Sequence, residues 1–296
     1  DNVAVGAGAL YTSTTSNYQT ALGYQALYSS ITTAVDADAY NTAVGYKAAR
    51  LNTTGTRNTV VGGLAFDSNL TGHYNTAVGM QALQTEQDGD FTTAVGYQAL
   101  FTQNSDAAGQ DVINTAVGAG AGYGLTTGIQ NTLIGGNCGY GTITGDKNTA
   151  VGMDAFKANT SGYNNVVMGH NAFTANQGGY SNVVIGGTAA DGATASNGGV
   201  YLGYDAGGGL SSGDNNVFVG YSAGNSGVAT QDGDNNICIG FATGTSATGS
   251  QNQIVIGETI NGGEDNQFRF GKASNTVSNE FDTDDDWTRA SDERLK

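Results

Sequence analysis

One short pattern of apolar positions recurs from end to end of the chain: a β-branched residue, a variable residue, an aliphatic residue and then glycine, usually introduced by asparagine. Its commonest form is Asn-Thr-Ala-Val-Gly. The motif glycines are Gly6, Gly23, Gly45, Gly62, Gly79, Gly96, Gly118, Gly135, Gly152, Gly169, Gly186, Gly203, Gly220, Gly240 and Gly257, fifteen copies separated eleven times by 17 residues, twice by 22 and once by 20. Residues two apart on a strand share a face and the residue between them faces away, so each copy predicts a short strand ended by its glycine. The position three before the glycine runs from Val3, Thr20, Thr42 and Thr59 to Ile237 and Ile254, and turns from Thr to Val or Ile from Val166 onward. That near-isosteric exchange suits a buried or half-buried site. The face formed by the positions three and one before the glycine is therefore predicted to be the core.

Further columns keep the same period. Alanine follows three residues after most motif glycines, from Ala9 and Ala26 to Ala206 and Ala223, and predicts the return side of each coil. Glycine seven before, as at Gly55, Gly72, Gly128, Gly145, Gly162 and Gly213, supplies a positive φ or a close approach at a corner. Asparagine four before, as at Asn41, Asn58, Asn75 and Asn114, predicts a stacked amide ladder. A 17-residue unit cannot bury its own apolar face, so the units must stack. The predicted fold is all-β, a parallel β-solenoid or β-roll of about 15 coils. At about 4.8 Å per strand it would make a rod of roughly 70 Å. The longer spacings place insertions at 29–40, 102–113 and 225–234, where a solenoid carries surface loops. From Val167 the middle residue also enlarges, to Val184, Tyr201, Phe218 and Val255, which predicts greater burial per coil and folding and chain association that start in the C-terminal half.

Composition narrows the function. Of 296 residues, 48 are glycine and none is proline, which excludes collagen. Asp and Glu outnumber Lys and Arg by 26 to 10, a net charge of −16, so the surface repels phosphate backbones and anionic lipids and nucleic acid is not an expected partner. No run of 18 apolar residues exists and the chain opens at Asp1 without a signal-like segment, so no membrane insertion is expected. Cys138 and Cys238 are too far apart in sequence for a metal or redox motif. With His73 and His170 as the histidines, ordinary enzyme chemistry is poorly supplied and no cofactor is expected.

The motif as it stands in Asn165-Val166-Val167-Met168-Gly169 and Asn182-Val183-Val184-Ile185-Gly186 resembles the head repeat of YadA-like trimeric adhesins, over about residues 1–260. The resemblance implies a left-handed parallel β-roll and a homotrimer, although the period here is longer than that family's. At the end of the chain, Ser291-Asp292-Glu293-Arg294-Leu295-Lys296, preceded by Asp286-Trp287-Thr288-Arg289-Ala290, resembles the opening of the peptidase S74 intramolecular chaperone found on phage tail fibres and endosialidase tailspikes. That family implies a trimeric chaperone that templates the fibre and then cuts itself off. By the same resemblance Ser291 is the nucleophile and Lys296 its base, an incomplete dyad confined to self-cleavage. The expected organisation is a roll shaft over 1–260, a closing segment and acidic linker over 261–290, and the first residues of the chaperone at 291–296.

Other candidates carry less. Tyr24, Tyr46, Tyr97, Tyr204, Tyr221 and Phe241 follow the motif glycine and form one edge that packs against neighbouring coils or chains, or meets a glycan. Asp36, Asp38, Asp232 and Asp234 lack calcium-loop spacing and read as solvated. Glu280, Asp282, Asp284, Asp285 and Asp286 read as linker rather than as a glycosidase carboxylate pair. The expected function is a non-catalytic tail-fibre shaft or receptor-attachment protein of a phage or phage-like injection particle. Its partners would be two further copies, a host glycan or protein receptor, and other tail or baseplate proteins. The alternatives are a trimeric adhesin on the bacterial surface and a monomeric ice-binding solenoid, the last opposed by interruption of the Thr column.

Overall fold

The computed structural model describes residues 1–31, 37–105, 107–141, 144–225, 232–281 and 288–289. They fall into two compact units, Asp1–Met153 and Asp154–Lys296. Each is a parallel β-solenoid without helix among the described residues. The first holds nine motif strands, from Val3–Val5 to Thr149–Val151, and the second holds six, from Val166–Met168 to Ile254–Glu258. Register follows the repeat, with Thr42 opposite Thr59 and Ala43 opposite Val60. The insertions do not disturb it, since Thr20 lies opposite Thr42, Thr93 opposite Thr115 and Val217 opposite Ile237. In the second unit the last motif strand pairs in parallel with Gln267–Lys272, which turns back into the antiparallel strand Asn275–Glu280.

The orientation of the motif strands reverses the prediction. The middle residue points inward: Ala21, Ala43, Val60, Leu133, Val167, Tyr201, Phe218 and Val255 are buried. The flanking residues point outward, with Val61, Ile134 and Ile185 each 38% exposed. The physical reason is volume. The inward middle residue meets the side chain four after the motif glycine, and in many coils, though not at Val60 with Phe66, the two positions trade size. Ala77 and Ala94 accompany the buried Leu83 and Leu100, and Ala150 accompanies Phe156. Where the middle residue is Tyr201 or Phe218, the partner position is Gly207 or Gly224. A Cβ on Gly207 would lie 2.9 Å from the Tyr201 ring, and one on Gly224 would enter the Phe218 ring. At Tyr201 and Phe218 the larger middle residue is thus offset by a smaller partner, whereas Val167 accompanies the buried Phe173. The alanine column after the motif is fully buried from Ala26 to Ala223, as the return side requires.

Close stacking fixes the motif glycine. Its φ runs from +126° to +156°, a region open essentially to glycine alone. A Cβ on Gly6 would lie 2.6 Å from the carbonyl oxygen of Gly23. The corner glycines are held by approach alone: a Cβ on Gly55 would lie 2.5 Å from Gly72 O, without positive φ. Three other positions per coil are left-handed and carry ordinary side chains, as at Tyr74 (φ 59°), Gln81 (φ 60°) and Leu83 (φ 54°). Each costs about 1–2 kcal/mol, so hydrogen bonds between coils must hold them.

Asparagine supplies many of these bonds. The Asn58 N–H donates to Asn41 Oδ1 (2.9 Å) while Asn41 Nδ2 donates to Gly55 O (2.8 Å). The same pair of bonds recurs at Asn75 on Asn58, Asn131 on Asn114 and Asn236 on Asn216. The predicted amide ladder is therefore present, and it clamps the adjacent coil at two points. It is interrupted at Gly199, where a Cβ would collide with the Tyr201 hydroxyl. A second buried column behaves similarly at Asn52, Asn69 and Asn159, but after the fifth motif glycine, Gly79, it carries Glu86. Glu86 Oε1 accepts from the N–H groups of Gln87 (3.0 Å), Asp88 (3.1 Å), Gly89 (2.8 Å) and Ser105 (3.2 Å) and from Ser105 Oγ (2.8 Å). Its Oε2 accepts from Gln103 Nε2 (3.0 Å). One carboxylate thus ties the insertion at 102–113 to the preceding coil.

Two consequences are measurable by urea unfolding. Gly79→Ala places a Cβ against the Gly96 carbonyl at φ +134° and is expected to cost about 3 kcal/mol or more. Gly63→Ala, with open space around the new methyl, is expected to be neutral within about 0.5 kcal/mol. Glu86→Leu strands several buried donors and is expected to cost about 3 kcal/mol.

Candidate interaction surfaces

The outward side of the motif strands is the most distinctive surface. Each coil presents three outward positions, those three and one before the motif glycine and the one after it. Through all fifteen coils these are Thr, Val, Ile, Leu, Met, Ala, Gly, Tyr and Phe, with His170 and a single formally charged residue, Glu258 in the last coil. Elsewhere the chain carries enough Asp and Glu to reach a net charge of −16. The residue after the glycine is aromatic where the sequence predicted it: Tyr24, Tyr46, Tyr97, Tyr204, Tyr221 and Phe241 are all about half exposed. Tyr24 stacks on Tyr46 at 5.6 Å, Tyr204 on Tyr221 and Tyr221 on Phe241 at 5.4 Å, all near parallel.

Sequence reading followed this one aromatic column and missed three others, whose signal was the same 17- or 22-residue spacing. Tyr11 stacks on Tyr28, and Phe101, Tyr123 and Tyr140 form a continuous series. Tyr163 stacks on Tyr180 at 5.0 Å. Tyr18 and Tyr40 stack at 5.2 Å, Arg57 lies between the rings of Tyr40 and Tyr74, and Tyr74 stacks on Phe91 at 4.9 Å. Within each series the ring faces are taken up by neighbouring coils, and solvent meets ring edges. Such stacks contribute about 0.5–1.5 kcal/mol per pair beyond buried area. They bind coil to coil, and little flat aromatic face is left for a sugar.

The acidic candidates are engaged as hydrogen-bond acceptors. Tyr40 OH donates to Asp38 Oδ2 (3.0 Å) and the Asp214 N–H to Asp234 Oδ1 (2.8 Å), while Asp232 accepts from Ser211 Oγ. Asp36, Asp282, Asp284, Asp285 and Asp286 lie outside the described residues. Among the described residues no group of three His, Cys, Asp or Glu side chains is placed to hold a metal ion. No helix there is long and apolar enough to cross a membrane. A shallow open depression of about 290 Å³ is lined by Ser246, Ala247, Thr248, Gly249, Ser250, Glu264 and Asp265. Some of its groups bond to one another, as where the Ala247 N–H donates to Ser250 Oγ (2.9 Å). A hydrogen bond to Glu280, reinforced by that carboxylate's charge, raises the Glu264 carboxyl above its ordinary value.

Ser291 and Lys296 lie outside the described residues, so the structure does not bring them together or apart. Cys138 and Cys238 are free and buried in the coil interior, in the alanine column and the middle column respectively. Burial pushes both thiols from 9.0 up to about 12, and burial raises the Tyr201 phenol as well. These are acids held neutral by the fold. Their contribution is complete below about pH 9 and is lost as pH climbs toward 12. The melting temperature is therefore expected to hold up to about pH 9 and fall above it, less steeply in Cys238→Ala. At neutral pH a thiol reagent is expected to label neither cysteine until denaturant unfolds the chain.

Compared with known proteins, the chain matches no family model, and no curated protein sequence matches it.

Proposed function

We propose that this chain is a structural shaft that self-associates into a homotrimer and serves host attachment, as a tail fibre of a phage or phage-like injection particle. The observation that carries the reading is the outward face of the motif strands, apolar and almost free of charge on a chain of net charge −16. Each coil offers roughly 60 Å² of flat footprint there, from a strand spacing of about 4.8 Å and the four steps of about 3.3 Å between the first and last outward positions. Nine and six such coils make patches on the order of 550 and 370 Å², as large as the largest apolar patch of an ordinary monomer. Copies of an acidic chain repel one another except through an uncharged surface, which favours a second and third copy as the cover. In this reading the chain has no catalytic turnover beyond self-cleavage by a chaperone whose opening is Ser291 to Lys296. Its receptor is a host glycan or protein, and its other contacts are tail or baseplate proteins.

Two other readings use the same surface. A trimeric adhesin on a bacterial cell surface would assemble identically and differ in what anchors it. An ice-binding monomer gains from the outward Thr column of the first unit, Thr20 to Thr149. It loses from the Val and Leu column beside it and from Val and Ile in the second unit.

Native and denatured masses decide among them. The chain is expressed from its gene together with the sequence that follows Lys296, as wild type and as Ser291→Ala. Three chains per particle, each cut beside Ser291 in the wild type and intact in the variant, are the expected result. A monomer at every concentration sinks the shaft reading and brings ice binding forward. An uncut trimer keeps the shaft and removes the chaperone.

A further inference from the structure

The outward face is not uniform along the chain, and the difference is sharpest in one column. In the first unit the position three before the motif glycine is Thr in eight consecutive coils, Thr20, Thr42, Thr59, Thr76, Thr93, Thr115, Thr132 and Thr149. In the second unit it is Val166, Val183, Val200, Val217, Ile237 and Ile254 without exception. Because this column points outward, the exchange adds nothing to the interior of a coil. It alters what a coil shows to its surroundings. A Thr row keeps its hydroxyls solvated or bridged by water, and covering it costs desolvation unless each hydroxyl finds a partner. A Val or Ile row releases its hydration at no such cost.

The column before the glycine moves the same way, from mostly Val in the first unit to Met168, Ile185, Leu202, Val219, Ile239 and Ile256 in the second. The column after the glycine is interrupted in both units, at Gly63, Ala119 and Gly136 in the first and at His170 and Gly187 in the second, where Tyr204, Tyr221 and Phe241 form a continuous stack. Interior packing cannot account for the change, since the enlarged middle residues Tyr201 and Phe218 are matched by Gly207 and Gly224. In these coils the apolar gain lies outside.

Resting on the self-association proposed above, we infer that the second unit's outward face, residues 166–258, is the clamp that holds copies of this chain together. The first unit's Thr-lined face is the weaker, hydrated seam. The occupant of the clamp is the same face of another copy. It is uncharged except at its last coil, so like faces meet without repulsion, and its aliphatic rows at regular spacing are self-complementary in shape.

The test exchanges residues that the fold already accepts at this column. In the full chain, Val183→Thr with Val200→Thr and Val217→Thr copies the first unit's chemistry into the clamp. Thr76→Val with Thr93→Val and Thr115→Val does the reverse. Sedimentation velocity over a concentration series reads assembly, and unfolding of the dissociated chain at the lowest concentration reads coil stability. The Val→Thr triple is expected to raise the concentration of half-assembly by about tenfold or more, with melting of the dissociated chain unchanged. The Thr→Val triple is expected to lower that concentration. Wild type that assembles while neither triple shifts the midpoint, or while the Val→Thr triple lowers melting of the dissociated chain instead, overturns the inference and leaves self-association standing. Wild type that never assembles overturns the reading beneath it.

Discussion

Each coil of this protein can satisfy its backbone only through the coil on either side of it. No strand exceeds three residues until the last turn of the motif, and no coil contains a partner for its own strand. The paired strands must therefore lie in register at hydrogen-bonding distance, and the tightest point of that contact is the motif glycine, whose α-carbon sits against the carbonyl of the next. A methyl group at any one of these positions would lift two coils apart along their whole circumference. Glycine content, absence of proline and the fixed period are consequences of this contact. Proline would remove a donor from a ladder in which nearly every donor is committed.

In-register stacking also selects side chains that tolerate their own kind as neighbours. Asparagine stacks on asparagine because an amide donates and accepts at once, and tyrosine stacks on tyrosine through its ring face. Like charges cannot be stacked at this spacing without repulsion. Charged residues in a column are held by the adjacent coil: Arg50 pairs with Asp67 at 2.9 Å, while Asp214 and Asp234, one column on successive coils, accept from the backbone N–H groups of Asn197 and Asp214. Glu86 is the exceptional case, a buried carboxylate whose oxygens are filled by donors from its own coil and from the insertion. An insertion therefore need not weaken the stack when a single acceptor can gather its backbone.

The period, the strands, the return column and the asparagine ladder were legible in the sequence because each is a local regularity repeated many times. Which face of the strand points inward was not. Alternation separates two faces but does not orient them, and the Thr to Val exchange suits an interior and a protein-covered exterior equally well. The deciding information was present but non-local: Tyr201 with Gly207, and Phe218 with Gly224, are pairs six residues apart whose sizes vary inversely. Recognising them requires knowing that the strand's middle residue and the first corner residue share one interior. Three aromatic stacks escaped for a related reason, since Arg57 and Ile113 interrupt a column that otherwise reads Tyr18, Tyr40, Tyr74 and Phe91. Ser291 and Lys296 lie outside the described residues, and no repetition elsewhere in the sequence informs a pairing between them.

The inward face explains why the outward one is apolar. Interior positions are dominated by alanine, and where the middle residue is Tyr201 or Phe218 its partner is glycine, so the cross-section of a coil holds only a small apolar volume. Alanine buries little area, and ordering a residue costs about 1–2 kcal/mol in backbone entropy. A narrow coil therefore gains little from its own core and must draw on hydrogen bonds, aromatic stacks and whatever covers its flat side. Apolar stabilisation grows also outward, across the motif strands, and under the proposed self-association the surface that matches this face in spacing, length and charge is the same face of another copy.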